Sequence, residues 1–298
     1  MYKYWGFGLL ITSSIKFPEL MPATSSHTDV TITIGSIPLI HASASFSTGH
    51  ITYTLNDYEL LFTVPGIASY YIAHGKQIII APVTAKIEER ILRMFVLAGA
   101  MAGVLQQRKQ VPLHAAGIVE AGALTLICGR SGAGKSTTLA GLQDKHYRIF
   151  TDDVTVLRQL PGDEQVSGIA AYPMLKLWEQ SLQTLQLEDR SFPVMPGIEK
   201  YGIFFHQDFD TEPYPVNRII LLATGDVTAI DHQRLIGSNA FTQVVQHIYK
   251  PALFRQPFIR GVCFNTISAL TRQADTHLIT RPLHCEPEEL LATVTSIF

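Results

Sequence analysis

Cysteine and charge are both scarce in this chain. Its 298 residues include three cysteines, Cys128, Cys263 and Cys285, and none of them forms a CxxC pair. This spacing predicts neither a zinc site nor a disulfide framework, and it fits the reducing conditions of the cytoplasm. Charged residues make up 16% of the chain and hydrophobic residues 47%. That balance excludes a disordered protein and supports a sizeable core.

An excess of basic residues and a long apolar run are also missing. The net charge of −2 argues against a nucleic-acid-binding protein, which is usually basic. The longest apolar run, residues 94–105, is too short to span a bilayer and is predicted to be a buried helix. The first twelve residues lack the features of a signal peptide and are predicted to form a strand. We therefore expect neither nucleic acid nor a membrane as a partner.

One loop fits a nucleotide-binding motif at every fixed position. It follows a strand predicted at 123–128 and precedes a helix, which is the context that G-x-x-x-x-G-K-[ST] requires. Its glycines let backbone N–H groups surround a polyphosphate, Lys135 can reach the outer phosphates, and Ser136 can ligate Mg²⁺. The predicted nucleotide-binding residues are Gly129, Arg130, Ser131, Gly132, Ala133, Gly134, Lys135, Ser136 and Thr137.

The chain is predicted to have three parts. Residues 1–85 are β-rich, with hairpins expected across Asn56-Asp57 and His74-Gly75. Residues 86–110 contain a connecting helix, at about 86–107, whose apolar residues recur at spacings of three and four. Its glycines, Gly99 and Gly103, would permit close approach of another element. Residues 111–298 form an α/β catalytic domain.

Further elements follow from local patterns in the catalytic part. Residues 113–119 and the strand before the loop are joined by a tight turn and must be antiparallel. Later predictions are strands around Asp152-Asp153, a helix beginning at Pro173, a strand at 218–223 with a neighbour at 227–231, helices at 241–249 and 266–273, a strand at 277–280 and a final helix beginning at Glu286.

A pair of carboxylates, Asp152 and Asp153, follows Lys135 by about seventeen residues. The preceding apolar residues put the pair at the end of a strand near the loop. One carboxylate there can hold Mg²⁺ through its water shell, and the other can accept a proton from an attacking hydroxyl. Adjacent strand residues point to opposite faces, so both can serve only if the strand ends or bends there. The alternative is that one Asp binds metal and the other caps a turn.

The order of His114, the antiparallel turn, the loop and the stretch 147–154 resembles the catalytic core of HPr kinase/phosphorylase. The resemblance implies an α/β P-loop kinase core with a mixed sheet, related to phosphoenolpyruvate carboxykinase. In that family the first Asp is the base, the second goes with the metal, and the His lies beside the carboxylate. The matching residues are Asp152, Asp153 and His114. Active sites in the family are shared between subunits, so a homo-oligomer is implied.

The β-rich extension makes the chain more similar to a subgroup of that family, the lasso-peptide kinases. The resemblance implies that the protein transfers the γ-phosphoryl group of ATP to the C-terminal serine of a precursor peptide. An HPr-type protein serine kinase, a nucleotide-hydrolysing switch and a small-molecule kinase or carboxykinase relative stay open as alternatives. His114 could equally be an ordinary core residue.

A cation beyond Lys135 is expected near the γ-phosphate, because phosphoryl transfer depends chiefly on positioning and charge neutralisation. Lys176 and Lys200 fall in the segment where the family builds its acceptor site. The other candidates are Arg130, Arg255 and Arg281. Each of them could instead be a solvated surface charge.

Overall fold

The computed structural model describes residues 1–159, 165–179, 182, 189, 191–194 and 199–298. They form two compact units, one of Met1–Val111 with Lys250–Val262 and one of Pro112–Tyr249 with Cys263–Phe298. Within the described ranges, none of the helices combines the length and the apolar character needed to cross a bilayer.

The first unit is built on a nine-stranded sheet. Its strands are β1 Tyr2–Gly6, β2 Leu9–Ser13, β3 Met21–Pro22, β4 Val30–Ile34, β5 Ala44–Thr48, β6 Ile51–Leu55, β7 Glu59–Val64, β8 Ala68–Ala73 and β9 Gln77–Pro82. They lie in the order β3-β1-β2-β4-β9-β8-β7-β6-β5. The β4 strand is parallel to both of its neighbours, and the other pairs are antiparallel. The prediction of a β-rich start is confirmed.

Both predicted hairpins are present, because each turn has suitable residues. The side-chain oxygen of Asn56 accepts the N–H groups of Tyr58 and Glu59 between β6 and β7, each at 2.8 Å. His74 and Gly75 have positive φ and turn β8 into β9. The single strand predicted for the first twelve residues is wrong. That segment is the β1–β2 hairpin, in which positive φ at two adjacent residues reverses the chain.

The predicted connecting helix is present, but it is not a regular α-helix. It consists of α1 Glu89–Phe95, a π-helical turn Val96–Ala100 and α2 Met101–Gln107. A π-helical turn holds more residues than an α-turn, so the buried face does not keep one spacing along the helix. Leu92 is buried, whereas Met94, the first residue of the apolar run at 94–105, is only half-buried.

The two glycines of this helix permit close approach of the sheet. A Cβ added to Gly103 would lie 2.5 Å from Leu60 Cδ2, and one on Gly99 would lie 2.8 Å from the Phe62 ring. We expect Gly103→Ala to lower the free energy of unfolding by about 1 kcal/mol, because overpacking outweighs the better helix propensity of alanine. Gly261→Ala is the matched control, since Gly261 is an exposed helix position with no atom within 4 Å of an added Cβ. Gly261→Ala should raise the free energy of unfolding slightly, and urea titration of both variants measures the two changes. Equal changes in the free energy of unfolding at the two sites would contradict the packing argument.

The remaining elements continue along the chain. The strands are β10 Val111–Leu113, β11 Ala115–Glu120, β12 Ala123–Gly129, β13 Arg148–Thr151, β14 Thr155–Gln159, β15 Val166–Ala170, β16 Met174–Trp178, β17 Phe192–Pro193, β18 Lys200–Phe204, β19 Tyr214–Thr224, β20 Asp231–Leu235 and β21 Asp275–Arg281. The helices are α3 Lys135–Asp144, α4 Gly237–Val244, α5 Pro251–Phe254, α6 Pro257–Gln273 and α7 Pro287–Thr295, with 3₁₀ turns at His206–Asp208 and Val245–His247.

A mixed sheet forms the centre of the second unit. Its strand order is β10-β14-β15-β19-β12-β11-β13, with β21 beside β19 and β20 beside β21. The strand before the loop, β12, has antiparallel β11 on one side and parallel β19 on the other. The predicted antiparallel neighbour is therefore confirmed, as is a mixed α/β fold. A separate three-stranded sheet has the order β16-β18-β17.

Two predictions in this part are wrong. The helix predicted from Pro173 is strand β16, in which Leu175 and Leu177 are buried on one side while Lys176 between them points elsewhere. Antiparallel pairing with β18 outweighs the suitability of proline for a first helical turn. The predicted neighbour of β19 at 227–231 is not a strand. Strand β20 begins at the end of that stretch and pairs with β21 instead.

Candidate active site

The loop between β12 and α3 has the conformation that its glycines allow. Gly132 and Gly134 have φ values of 83° and 106°, which residues with a side chain rarely adopt. The Lys135 ammonium donates to the carbonyl oxygen of Gly129 at 2.7 Å and therefore lies across the loop. Burial lowers the pKa of Lys135 below its ordinary value, and the charge of Asp152 opposes that change.

The paired carboxylates, Asp152 and Asp153, lie where a strand ends. This is the position that would allow both side chains to reach one site. Strand β13 stops at Thr151, so Asp152 and Asp153 occupy the bend before β14. Asp152 is buried, and its Oδ1 accepts the Ser136 hydroxyl at 2.9 Å while its Oδ2 accepts the backbone N–H of Lys176 at 2.6 Å. Asp152 is thereby joined to the residue of the loop that can ligate a metal.

Asp153 has different partners. Its Oδ2 accepts the Lys176 ammonium at 2.5 Å, and the same ammonium donates to the Tyr172 hydroxyl at 2.9 Å. Its Oδ1 lies 3.3 Å from Nδ1 of His114. The Asp153 and Lys176 side chains are only 14% and 16% exposed, so this is a largely buried ion pair.

These surroundings separate the two carboxyl groups electrostatically. Burial and the charge of Asp153 raise the pKa of Asp152 above its usual range. Burial also acts to raise the pKa of Asp153, but the Lys176 ammonium and His114 hold it well below the usual range. Asp153 is therefore ionised throughout the physiological pH range, and its charge is balanced by a neighbouring cation.

His114 lies in the same site, between β10 and β11. Its backbone N–H donates to the carbonyl oxygen of His247 at 2.7 Å. Its ring Nδ1 lies 2.8 Å from the backbone carbonyl oxygen of Asp153. The sequence left open an ordinary core position, but 32% of this side chain is exposed and it faces the cavity.

One cavity of about 560 Å³ collects these residues. Its lining includes His114, Asp152, Asp153, Lys200 and the loop residues Ser131, Gly132, Gly134, Lys135, Ser136 and Thr137. Its wall also includes residues that were not predicted from the sequence, namely Leu283, His284, Cys285, Glu286, Pro287 and Leu290. These residues could have been predicted, because they follow the strand predicted at 277–280. The carboxyl ends of parallel strands share one edge of a sheet, so residues after such a strand lie near the loop.

The candidate cations have different positions. Arg281 donates to the carbonyl oxygens of Gly132, at 2.9 Å, and Ala133, at 3.2 Å, so it holds the loop. Lys176 is paired with Asp153, whereas Lys200 lines the cavity and its charge lowers the pKa of Lys135. Two further arginines are exposed: Arg130 is part of the loop and Arg255 belongs to the first unit.

The positive charge of the site also affects His247. Burial, together with Lys135, His114 and Arg130, lowers the pKa of His247 from 6.5 to about 4. Between these values the unfolded chain binds a proton that the folded chain does not, so stability falls as the pH drops from 6.5 towards 4. We expect a loss of up to about 3 kcal/mol over this window.

The contribution of His247 can be measured by urea unfolding between pH 4 and pH 7. The variant His247→Gln should have a flatter dependence of stability on pH than the parent protein. Identical slopes would show that another group causes the acid sensitivity.

Ser136 and Asp152 fit a magnesium site. The Ser136 hydroxyl and the Asp152 carboxylate lie 2.9 Å apart beside the glycine-rich loop. They are the kind of oxygen donors that Mg²⁺ takes from a protein when substrate phosphates and water complete its shell. Within the described ranges there is no group of three or more His, Cys, Asp or Glu side chains that could hold a metal without a nucleotide.

None of the protein-family models matches this chain, and no curated protein matches it in sequence. Among solved structures, the chain is similar to the Hpr(Ser) kinase/phosphatase from Coxiella burnetii, with 16% identity and a TM-score of 0.31. The match covers 62% of this chain and 95% of that one. The similarity is distant and partial, so the chemistry of the site has to be inferred from its own residues.

Proposed function

We propose that this protein is a kinase that transfers the γ-phosphoryl group of ATP, bound with Mg²⁺, to a serine hydroxyl of a peptide or small protein. The observation that carries this proposal is the contact between Asp152 and Ser136 inside the cavity of the phosphate-binding loop. A loop alone indicates only a nucleotide. A buried carboxylate on the loop serine, with a second carboxylate beside it, supports chemistry at the terminal phosphate.

The chain's own residues supply most of what phosphoryl transfer needs. Backbone N–H groups of the loop and the start of α3 bind the phosphates. Lys135 would leave the Gly129 carbonyl to neutralise the outer phosphate oxygens, and Lys200 lines the cavity as a second cation. When bound, Mg²⁺ supplies charge neutralisation and orients the phosphates.

The contacts favour a reversal of the carboxylate roles that the family resemblance implies. That resemblance gives the metal to Asp153 and the proton to Asp152. Asp152, however, is the carboxylate joined to Ser136, and Asp153 is already neutralised by Lys176. A cation added at Asp153 would meet the Lys176 ammonium, so the metal belongs with Ser136 and Asp152.

The proposed acceptor is the C-terminal serine of a lasso-peptide precursor. Its support is the sequence resemblance to that kinase subgroup. The alternative within the same reaction class is the serine of an HPr-type protein.

The experiment is transfer of label from γ-labelled ATP to the precursor peptide encoded beside the gene. We expect labelled peptide with the parent peptide and none with its C-terminal Ser→Ala form. Lys135→Met should abolish transfer, and Lys145→Met, an exposed lysine after the same helix, should not. Hydrolysis of ATP without any labelled peptide across a panel would favour a nucleotide-hydrolysing switch.

A further inference from the structure

The imidazole of His114 has only one possible neutral tautomer. Its Nδ1 lies 2.8 Å from the backbone carbonyl oxygen of Asp153. A carbonyl oxygen can only accept, so Nδ1 must carry the hydrogen. In the neutral ring the other nitrogen, Nε2, therefore has an open lone pair and can only accept a proton.

The ring is also fixed in orientation. The backbone N–H of His114 is bonded to His247, and its ring centroid lies 6.1 Å from that of Tyr249. Among the residues that the structure describes, no hydrogen bond to Nε2 is formed. An imidazole that lines a cavity, is oriented by a carbonyl and a carboxylate at Nδ1 and makes no hydrogen bond at its second nitrogen is the arrangement of a general base.

The two carboxylates beside it are less suited to accept a proton. Both oxygens of Asp152 already accept hydrogen bonds, from Ser136 and from the Lys176 backbone. Asp153 is bonded to the Lys176 ammonium and lies against the His114 ring, and its pKa is held well below the usual range. Asp152 is moreover the proposed metal ligand beside Ser136. Nε2 of His114, in contrast, accepts no hydrogen bond from the described residues and has no such second role.

We propose that Nε2 of His114 is the general base, an inference that rests on the kinase function proposed above. It takes the proton of the acceptor serine hydroxyl while that oxygen bonds to the γ-phosphorus. The bond from the γ-phosphorus to the bridging oxygen breaks, and the electron pair leaves with ADP. The imidazolium is stabilised by the Asp153 carboxylate and returns its proton to water after product release.

His114→Asn tests the proposal, because the amide of Asn can donate to the Asp153 carbonyl as Nδ1 does but has no counterpart of Nε2. The rate of transfer from labelled ATP should fall by about 10²–10⁴-fold, while the affinity for a fluorescent ATP analogue stays within about twofold. His146→Asn is the matched control. His146 is exposed with a φ of 68°, which Asn tolerates, so its rate should not change.

Chemical rescue separates a proton acceptor from a structural residue. Imidazole added to His114→Ala should restore part of the lost rate of phosphoryl transfer. It should not change the rate of phosphoryl transfer by Asp152→Asn. Thermal unfolding of each variant identifies loss of fold.

The outcomes distinguish the two proposals. No transfer by the parent protein to any peptide would overturn both of them. Transfer by the parent protein with an unchanged rate in folded His114→Asn, or with no imidazole rescue of folded His114→Ala, would overturn the role of His114 alone.

Discussion

Replacing Asp152 by Asn is expected to lower the rate of phosphoryl transfer by about 10³-fold. The substitution keeps the shape of the side chain and both hydrogen bonds, since an amide can donate to Ser136 Oγ and accept from the Lys176 N–H. What it removes is the negative charge beside the proposed metal. The fold and the binding of nucleotide without metal should therefore be retained.

The metal dependence of Asp152→Asn decides what that carboxylate does. If Asp152 belongs to the metal site, the variant will need more Mg²⁺ for half-maximal rate, and Mn²⁺ will restore part of the activity. Calorimetric titration of ATP in the presence of Mg²⁺ should give weaker binding by the variant than by the parent. A large loss of rate with unchanged metal dependence would instead return the role of base to Asp152.

Lys176→Met should destabilise the second unit by about 3 kcal/mol. The substitution keeps the backbone N–H that donates to Asp152 and the apolar stem, but it leaves the Asp153 carboxylate largely buried without its ammonium partner. An unpaired buried charge costs far more than a surface pair, where the loss is usually small. Urea unfolding at pH 7 measures the change, with Lys145→Met as the exposed control.

The double variant Asp153→Asn/Lys176→Met tests the cause. Removing both charges should recover most of the lost stability, because no uncompensated ion remains. The pH dependence has a definite sign: the pKa of Asp153 is lowered by folding, so its stabilisation is present above its ordinary value of 3.8 and is lost in stronger acid. The difference between Lys176→Met and the parent should therefore narrow at low pH. If the losses in free energy of unfolding caused by Asp153→Asn and Lys176→Met simply add in the double variant, the two side chains do not stabilise each other as an ion pair.

The predictions that succeeded came from patterns within one short stretch. The glycine-rich loop between a strand and a helix, the hairpin at Asn56 and the strand end at Asp152-Asp153 are each specified by neighbouring residues. Glycines permit the turns, and alternating apolar residues specify the strands. The predictions at Pro173 and at 227–231 failed because a short apolar pattern is compatible with either helix or strand. Which of the two forms then depends on the strands available for backbone pairing elsewhere in the fold.

The sequence by itself determined a glycine-rich loop between a strand and a helix, the context that a phosphate-binding motif requires, and two carboxylates at the end of a later strand, because both signals are local. Only the tertiary structure decided which partner each carboxylate takes. Asp152 contacts the loop through Ser136, 16 residues away, whereas Asp153 is paired with Lys176 and His114, which are 23 and 39 residues away. Ser136 belongs to helix α3, His114 lies between β10 and β11, and Lys176 is on β16. A hydrogen bond or an ion pair depends on where such elements meet in the fold and not on spacing along the chain.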